Sequence, residues 1–188
     1  MTTLAFDDEG FYRTGDALRF VDPARPDMGM VFDGRIAEDF KLRTGTWVSV
    51  GTLRAGLVAA CEGLIQDVVI AGHDREYLSA ILFPNLANCR VEFADLPPNA
   101  EHPAVAAHPT LRARVQRALD RLAAASTGSA SRIARALVAD VPPAIDAGEI
   151  TDKGSLNQRA VLRERAALVA DLYADPLPPH VLRADSKD

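Results

Sequence analysis

Asp16 after Gly15, Arg35 after Gly34, and Lys153 before Gly154 are each a charged side chain directly beside glycine. A carboxylate accepts hydrogen bonds, a guanidinium is a planar fork of donors that stays charged, and an ammonium is a compact cation with three donors. Glycine lets the backbone come close to a polar ligand. Each alone is a weak signal, and by themselves the three leave the chemistry undefined. Each also has an ordinary reading: a turn aspartate capping its own loop, a surface salt bridge, a solvated loop lysine. Other chemistries find less support. There is no GxxxxGK(S/T), GxSxG or HExxH. His73, His102, His108 and His180 are scattered without ligand spacing and read as surface or turn histidines, so no metal site is expected. Cys61 and Cys89 lack a CxxC partner, which argues against a zinc cage or a disulfide framework and makes a reduced, cytoplasmic location the default.

The elements that must position these residues are legible from pattern. A chain of 188 residues, 48% hydrophobic and 25% charged, has the composition of a globular protein. Its net charge of −5 argues against a nucleic-acid surface. The start has neither the basic nor the apolar region of a signal peptide, and no apolar run is long enough for a membrane span. Short apolar runs punctuated by turn residues over 1–33 predict a small β-meander. Phe40-Lys41-Leu42 and Thr46-Trp47-Val48 flank Arg43-Thr44-Gly45 as a hairpin whose glycine takes the turn, with Trp47 expected in the core rather than facing a ligand. A helix is expected after Ser49 as N-cap and before Gly63, then paired strands over Gln66–Ala71 and Tyr77–Phe83. The proline-rich stretch Asn85–His108 reads as a long surface connection.

From Thr110 the stripe Leu111, Val115, Leu119 and Leu122 predicts an amphipathic helix, with Arg114, Arg117 and Arg121 largely off it. Ile133–Val141 reads as a helix end or a strand, and a last helix is expected from about Ser155 to Tyr173, with Leu162, Ala166, Val169 and Tyr173 on one side. The tail Asp175–Asp188 reads as frayed. The fold class that follows is α+β: a β-meander, then a compact α+β domain with a short sheet flanked by helices.

In order and spacing, several segments resemble the last conserved segments of the adenylate-forming superfamily, which includes acyl-CoA synthetases, luciferases and peptide-synthetase adenylation domains. Gly10-Phe11-Tyr12-Arg13-Thr14-Gly15-Asp16 is similar to the family's Gly-Tyr/Phe-Tyr-x-Thr-Gly-Asp, and Phe32-Asp33-Gly34-Arg35 to its Phe-x-Gly-Arg. Thr44 to Gly51 and Glu149 to Arg159 are most similar to feruloyl-CoA synthetases, and the match runs from about Asp7 to Tyr173.

The resemblance implies a ligase that joins a carboxylic acid to ATP as an acyl-adenylate and then lets the thiol of coenzyme A displace AMP, with Mg2+ assisting the first step. It implies that Asp16 receives the ribose hydroxyls, Arg35 lies on the nucleotide side, the Lys41–Val48 hairpin with Gly45 guides the pantetheine arm, and Lys153 serves adenylation. Arg114, Arg117 and Arg121 could meet coenzyme A phosphates, a solvated helix face being the alternative. It divides the chain into the last strands of an N-terminal adenylation domain (1–35), a hinge (36–39), a C-terminal domain (40–174) and a tail (175–188). The phosphate loop and the adenine and acyl pockets would lie upstream, outside this chain, so partners would include a separately supplied N-terminal domain or a second copy. The meander would then lack a facing layer, and the segment around Asp33 to Asp39 is expected to be a flexible joint.

Two departures bear on the site. Ala37 stands where the family commonly has Asp or Lys at the hinge, and Gly154-Ser155-Leu156 overlays Gly-Lys-Leu, which puts Ser155 in strict register with the family lysine and Lys153 two residues before it. Lys153 is preferred because a hydroxyl carries no charge. A non-catalytic module that binds nucleotide, coenzyme A or a partner subunit is the alternative function.

Overall fold

The computed structural model describes residues 5–185. The chain opens with an isolated bridge between Phe6 and Tyr12, followed by the antiparallel pair β1 (Asp16–Phe20) and β2 (Met30–Arg35). A second antiparallel pair, β3 (Phe40–Lys41) and β4 (Trp47–Val48), turns at Gly45, whose φ of 81° is the left-handed value the hairpin turn requires. Helix α1 (Val50–Ala60) then leads into β5 (Ile65–Ala71) and β6 (Leu78–Pro84). Three helices, α2 (Leu86–Glu92), α3 (His102–Ala106) and α4 (Pro109–Ala125), carry the chain to β7 (Ile133–Val138). Helices α5 (Gln158–Glu164) and α6 (Ala166–Tyr173) precede the short strand β8 (Leu182–Arg183).

Strands β5-β6-β7-β8 form one sheet in that order, antiparallel except for the parallel pair β6–β7. Both faces are covered, which is why 68–71 in β5 and 80–83 in β6 read as continuous apolar runs rather than alternating ones. Val68, Ile70, Leu78 and Leu82 join Leu57, Leu111, Val115 and Leu119 in one core. Val69, Ile81 and Phe83 join Leu137, Val161 and Leu172 in the other. The outer edge of β5 is met by a buried side chain: Ile70 N–H donates to Gln158 Oε1 at 3.0 Å, and Gln158 Nε2 donates to the Val68 carbonyl at 2.8 Å. A glutamine here stands in for part of a neighbouring strand, satisfying backbone groups that burial would otherwise orphan.

The mixed α/β architecture matches the expected class, and several local expectations differ. Asn85–His108 is no surface connection: Asn85 Oδ1 accepts from Asn88 N–H at 3.1 Å and starts α2, Pro103 sits in the first turn of α3, and Cys89, Phe93 and Val105 are buried. The prolines there begin an element rather than prevent one. His108 is buried too, stacked on Phe93 with ring centroids 4.4 Å apart and bonded to Asp95 at 3.1 Å. The last helix breaks at Arg165 into α5 and α6, whose fully buried residues are Val161 and Leu172, while Ala166 is exposed. The described part of the tail is held, with Val181 and Ala184 buried either side of β8; residues 186–188 lie outside the described residues. Trp47 is 54% exposed, because in a two-residue strand only one side chain faces inward, and that is Val48.

Residues 33–39 are tied to α1 at several points. Asp39 Oδ1 accepts from Val50 N–H at 2.9 Å, taking the capping role expected of Ser49, whose hydroxyl contacts the Asp33 carbonyl at 3.4 Å. Thr52 Oγ1 donates to Asp33 Oδ1 at 2.5 Å. The tightest approach is backbone on backbone: a Cβ placed on Gly51 would stand 2.5 Å from Gly34 Cα and 2.7 Å from the Asp33 carbonyl oxygen. Gly51→Ala therefore has to push β2 off α1, and the expected loss is about 1–3 kcal/mol by urea unfolding. Amide exchange should rise in β1–β2 while the β5–β6 pair is unchanged; wild-type stability in that variant would refute the close contact.

Candidate functional site

Asp16 opens β1 and Arg35 closes β2, and the register places them opposite each other. Arg35 Nε stands 3.3 Å from Asp16 Oδ1, with side chains 54% and 31% exposed. That oxygen is shielded from solvent yet has no hydrogen-bond partner among the described residues, since the guanidinium contact is an ion pair without hydrogen-bond alignment. Most shielded polar atoms in folded proteins are bonded, so an unmatched carboxylate oxygen beside a glycine turn can receive a donor from a ligand.

Arg35 also lines a cavity of about 430 Å3 together with Glu38, Lys153, Ser155, Asn157 and Arg159. Two residues singled out by sequence, more than a hundred positions apart, thus line one cavity. Lys153 sits at the tip of a hairpin closed by the Ile150–Leu156 bridge, with Thr151 N–H donating to the Ser155 carbonyl at 2.8 Å. Gly154, at φ 77°, gives the turn its left-handed residue. The Ser155 hydroxyl is engaged inside this turn, 2.7 Å from Thr151 Oγ1. Lys153 is exposed and its ammonium has no hydrogen-bond or ion-pair partner among the described residues.

Gly45 is not brought to this cavity. Its hairpin borders a neighbouring one of about 600 Å3 through Lys41 and Trp47, with Lys41 Nζ 5.8 Å from the indole centroid. A third cavity, about 710 Å3, runs between β2, α1 and β5 and shares Arg35, Glu38 and Ser155 with the first. Glu38 lines all three. Burial pushes its carboxyl above the usual range, partly offset by Arg54 and Arg35. Next to it the Ala37 carbonyl accepts from Arg159 NH2 at 2.5 Å, which ties this segment to α5 through its backbone.

Several contributors escaped the sequence reading. Arg54 and Asp67 form a two-pronged pair, both distances 2.6 Å, that ties α1 to β5 in the wall of the 710 Å3 cavity. Glu149 and Arg165 bind at the base of the Lys153 hairpin. Nothing local marks either pair, because the partners lie on different elements. The arginines of α4 sit apart from this region: Arg114 pairs with Glu92 and, at 3.8 Å, with Glu62, while Arg121 lies 3.6 Å from Glu62. Among the described residues no group of three or more His, Cys, Asp or Glu side chains stands where it could hold a metal ion, and no step is assigned to one. No described helix is long and apolar enough to cross a membrane.

A family model described as the AMP-binding enzyme C-terminal domain matches residues 52–176. Carboxylic acid reductase of Mycobacterium marinum is 28% identical over 177 residues, 93% of this chain and 13% of that protein. The adenylation–carrier didomain of carboxylic acid reductase from Segniliparus rugosus, solved with AMP, superposes with a TM-score of 0.61 at 23% identity, covering 92% of this chain and 22% of that one. An anthranilate CoA ligase solved with anthranoyl-AMP superposes at 0.54 and 19% identity, covering 91% and 26%. At these identities the superpositions establish the fold, and the chain spans about a quarter or less of each of these proteins.

Proposed function

This chain belongs to the AMP-binding enzyme C-terminal domain family of adenylate-forming enzymes, and we propose that it completes the site of an acid–thiol ligase. The observation that carries the reading is the shared cavity of Arg35 and Lys153, next to the unmatched oxygen of Asp16. In the proposed reaction a carboxylate oxygen attacks the α-phosphorus of ATP, pyrophosphate leaves, and a thiol then attacks the acyl carbon and expels AMP. Asp16 receives ribose hydroxyls, Arg35 binds on the nucleotide side, and Lys153 faces charge that grows on the acid and phosphate oxygens. The Lys41–Val48 hairpin, with Gly45 at its turn and the 600 Å3 cavity beneath, is assigned to the pantetheine arm of coenzyme A.

We assign residues 1–35 to the adenylation domain, 36–39 to the hinge, 40–174 to the C-terminal domain and 175–188 to the tail. The partner of the first segment is the remainder of an N-terminal adenylation domain, on this chain or another. Phe11, Tyr12, Met30 and Phe32 support this, being 67%, 64%, 57% and 63% exposed, the last two on the β1–β2 pair and the first two just before it. A few strands rarely bury enough to stand without a facing layer.

The names among the relatives divide between carboxylic acid reductase and CoA ligase. Both begin from a carboxylic acid that must be activated, and we place this chain on the CoA side by the feruloyl-CoA synthetase-like run Glu149 to Arg159. The test supplies the chain, united with an N-terminal adenylation domain, with ferulate, ATP and coenzyme A. Pyrophosphate release followed by a CoA thioester is expected, whereas the 188-residue chain by itself should release none. Pyrophosphate release by the lone chain would sink the division of labour; release without thioester would sink the CoA assignment and keep the adenylation.

A further inference from the structure

The Lys153 hairpin is anchored at its base by an ion pair that the chemistry above does not use. Arg165 Nε lies 2.7 Å from Glu149 Oε1 and its NH2 lies 2.9 Å from Oε2, with the side chains 10% and 3% exposed. The same guanidinium donates to the carbonyls of Val141 at 2.8 Å and Pro142 at 2.7 Å. Glu149 Oε2 accepts from Ala144 N–H at 2.7 Å, and the Glu149 carbonyl accepts from Asn157 N–H at 2.8 Å. Arg165 itself is fixed: it sits at the break between α5 and α6, its guanidinium 4.9 Å from the centroid of buried Phe83. So one side chain on a rigid element gathers both ends of segment 141–149 and, through Glu149, the start of the hairpin.

We infer that Glu149 and Arg165 are positioning residues for Lys153, setting where its ammonium stands relative to Arg35. The inference rests on the reading of Lys153 as the adenylation lysine. The tip of the hairpin has internal bonds alone, between Thr151, Gly154 and Ser155, and Lys153 has no side-chain partner among the described residues, so its location is fixed from the base. A buried ion pair is also a poor way to gain stability, because desolvating both charges consumes most of their attraction. What it supplies is direction. A bidentate fork with two further carbonyl bonds defines the loop in both translation and rotation, and an apolar contact would not.

The test uses Glu149→Gln, which keeps shape and loses the charge, and Arg165→Lys, which keeps the charge and loses the fork. In the protein that unites this chain with an adenylation domain, both variants should lower kcat for acyl-adenylate formation by about ten- to a hundredfold, the scale of a misplaced catalytic group. KM for the acid and thioester formation from presynthesised acyl-adenylate should stay at wild-type values. In the 188-residue chain, amide exchange at Thr151 and Gly154 should accelerate about tenfold or more while Val68 to Ile70 hold their protection. Equal loss in both half-reactions, tracking the folded fraction, would reduce the pair to a structural one and overturn the inference. So would wild-type adenylation in a variant whose hairpin amides have loosened. If Lys153→Ala impairs adenylation and Glu149→Gln does not, the positioning role alone falls; if Lys153→Ala is silent, the reading of the site falls with it.

Discussion

Lys153→Ala is expected to cut acyl-adenylate formation at least about a hundredfold, the scale of losing one charged donor from a transition state. The expectation comes from position and from what else is within reach. Arg35 and Lys153 line one cavity, and the Ser155 hydroxyl there is engaged with Thr151. A hydroxyl offers one donor and no charge, whereas the ammonium offers three donors and a full positive charge. Thioester formation from presynthesised acyl-adenylate should change far less, because the charge that Lys153 faces develops while the adenylate is being made. Pyrophosphate exchange and single-turnover thiolysis separate the two. A silent Lys153→Ala beside a damaging Ser155→Ala would move the site two residues along the loop.

Arg165→Ala should cost about 3–5 kcal/mol of stability at neutral pH, since it strands the Glu149 carboxylate, 3% exposed, without its cation. Acid should narrow that gap. In the wild type the Arg165 guanidinium, followed by the Ala144 N–H, holds the Glu149 carboxyl below the usual carboxylate range against the opposing effect of burial. The pair's contribution is therefore full above the ordinary glutamate pKa and is lost as pH falls through the depressed folded value. In the variant, acid protonates the stranded carboxyl and removes the penalty. Urea unfolding of both proteins at pH 7 and pH 4 checks this, and a difference that stays constant or widens in acid would refute it.

The sequence carried β5, β6 and the three charged residues because each announces itself within a few positions. Gly15-Asp16, Gly34-Arg35 and Lys153-Gly154 are local pairs, β5 and β6 are marked by short apolar runs, and the stripe of α4 is periodic in its own segment. What stayed hidden is made by pairs of segments. The Gly34–Gly51 contact, the Arg54–Asp67 pair and the Glu149–Arg165 pair each join residues that carry no shared local signal. Helices α2 and α3 were missed because prolines and asparagine read as loop, although the same residue types start helices when the following side chains find a core. β8 was missed because two residues have no period, and its strand character comes wholly from β7 beside it.

The parallel pairing of β6 with β7 has a kinetic consequence. The β5–β6 pair closes over the short turn 72–77, while β6 and β7 can meet only after residues 85–132 have been gathered between them. Closing the longer loop costs about 2 kcal/mol more in chain entropy, before any contact rewards it. Refolding should therefore begin at the β5–β6 hairpin with α1, wait for α2 to α4 to condense on it, and admit β7 afterwards. Helix α6 rests on both β6 and β7, and Arg165 stands at its head. The hairpin bearing Lys153 is thus among the last parts to be put in place, and a chain halted midway would hold a well-formed half-sheet with nothing to present to a nucleotide.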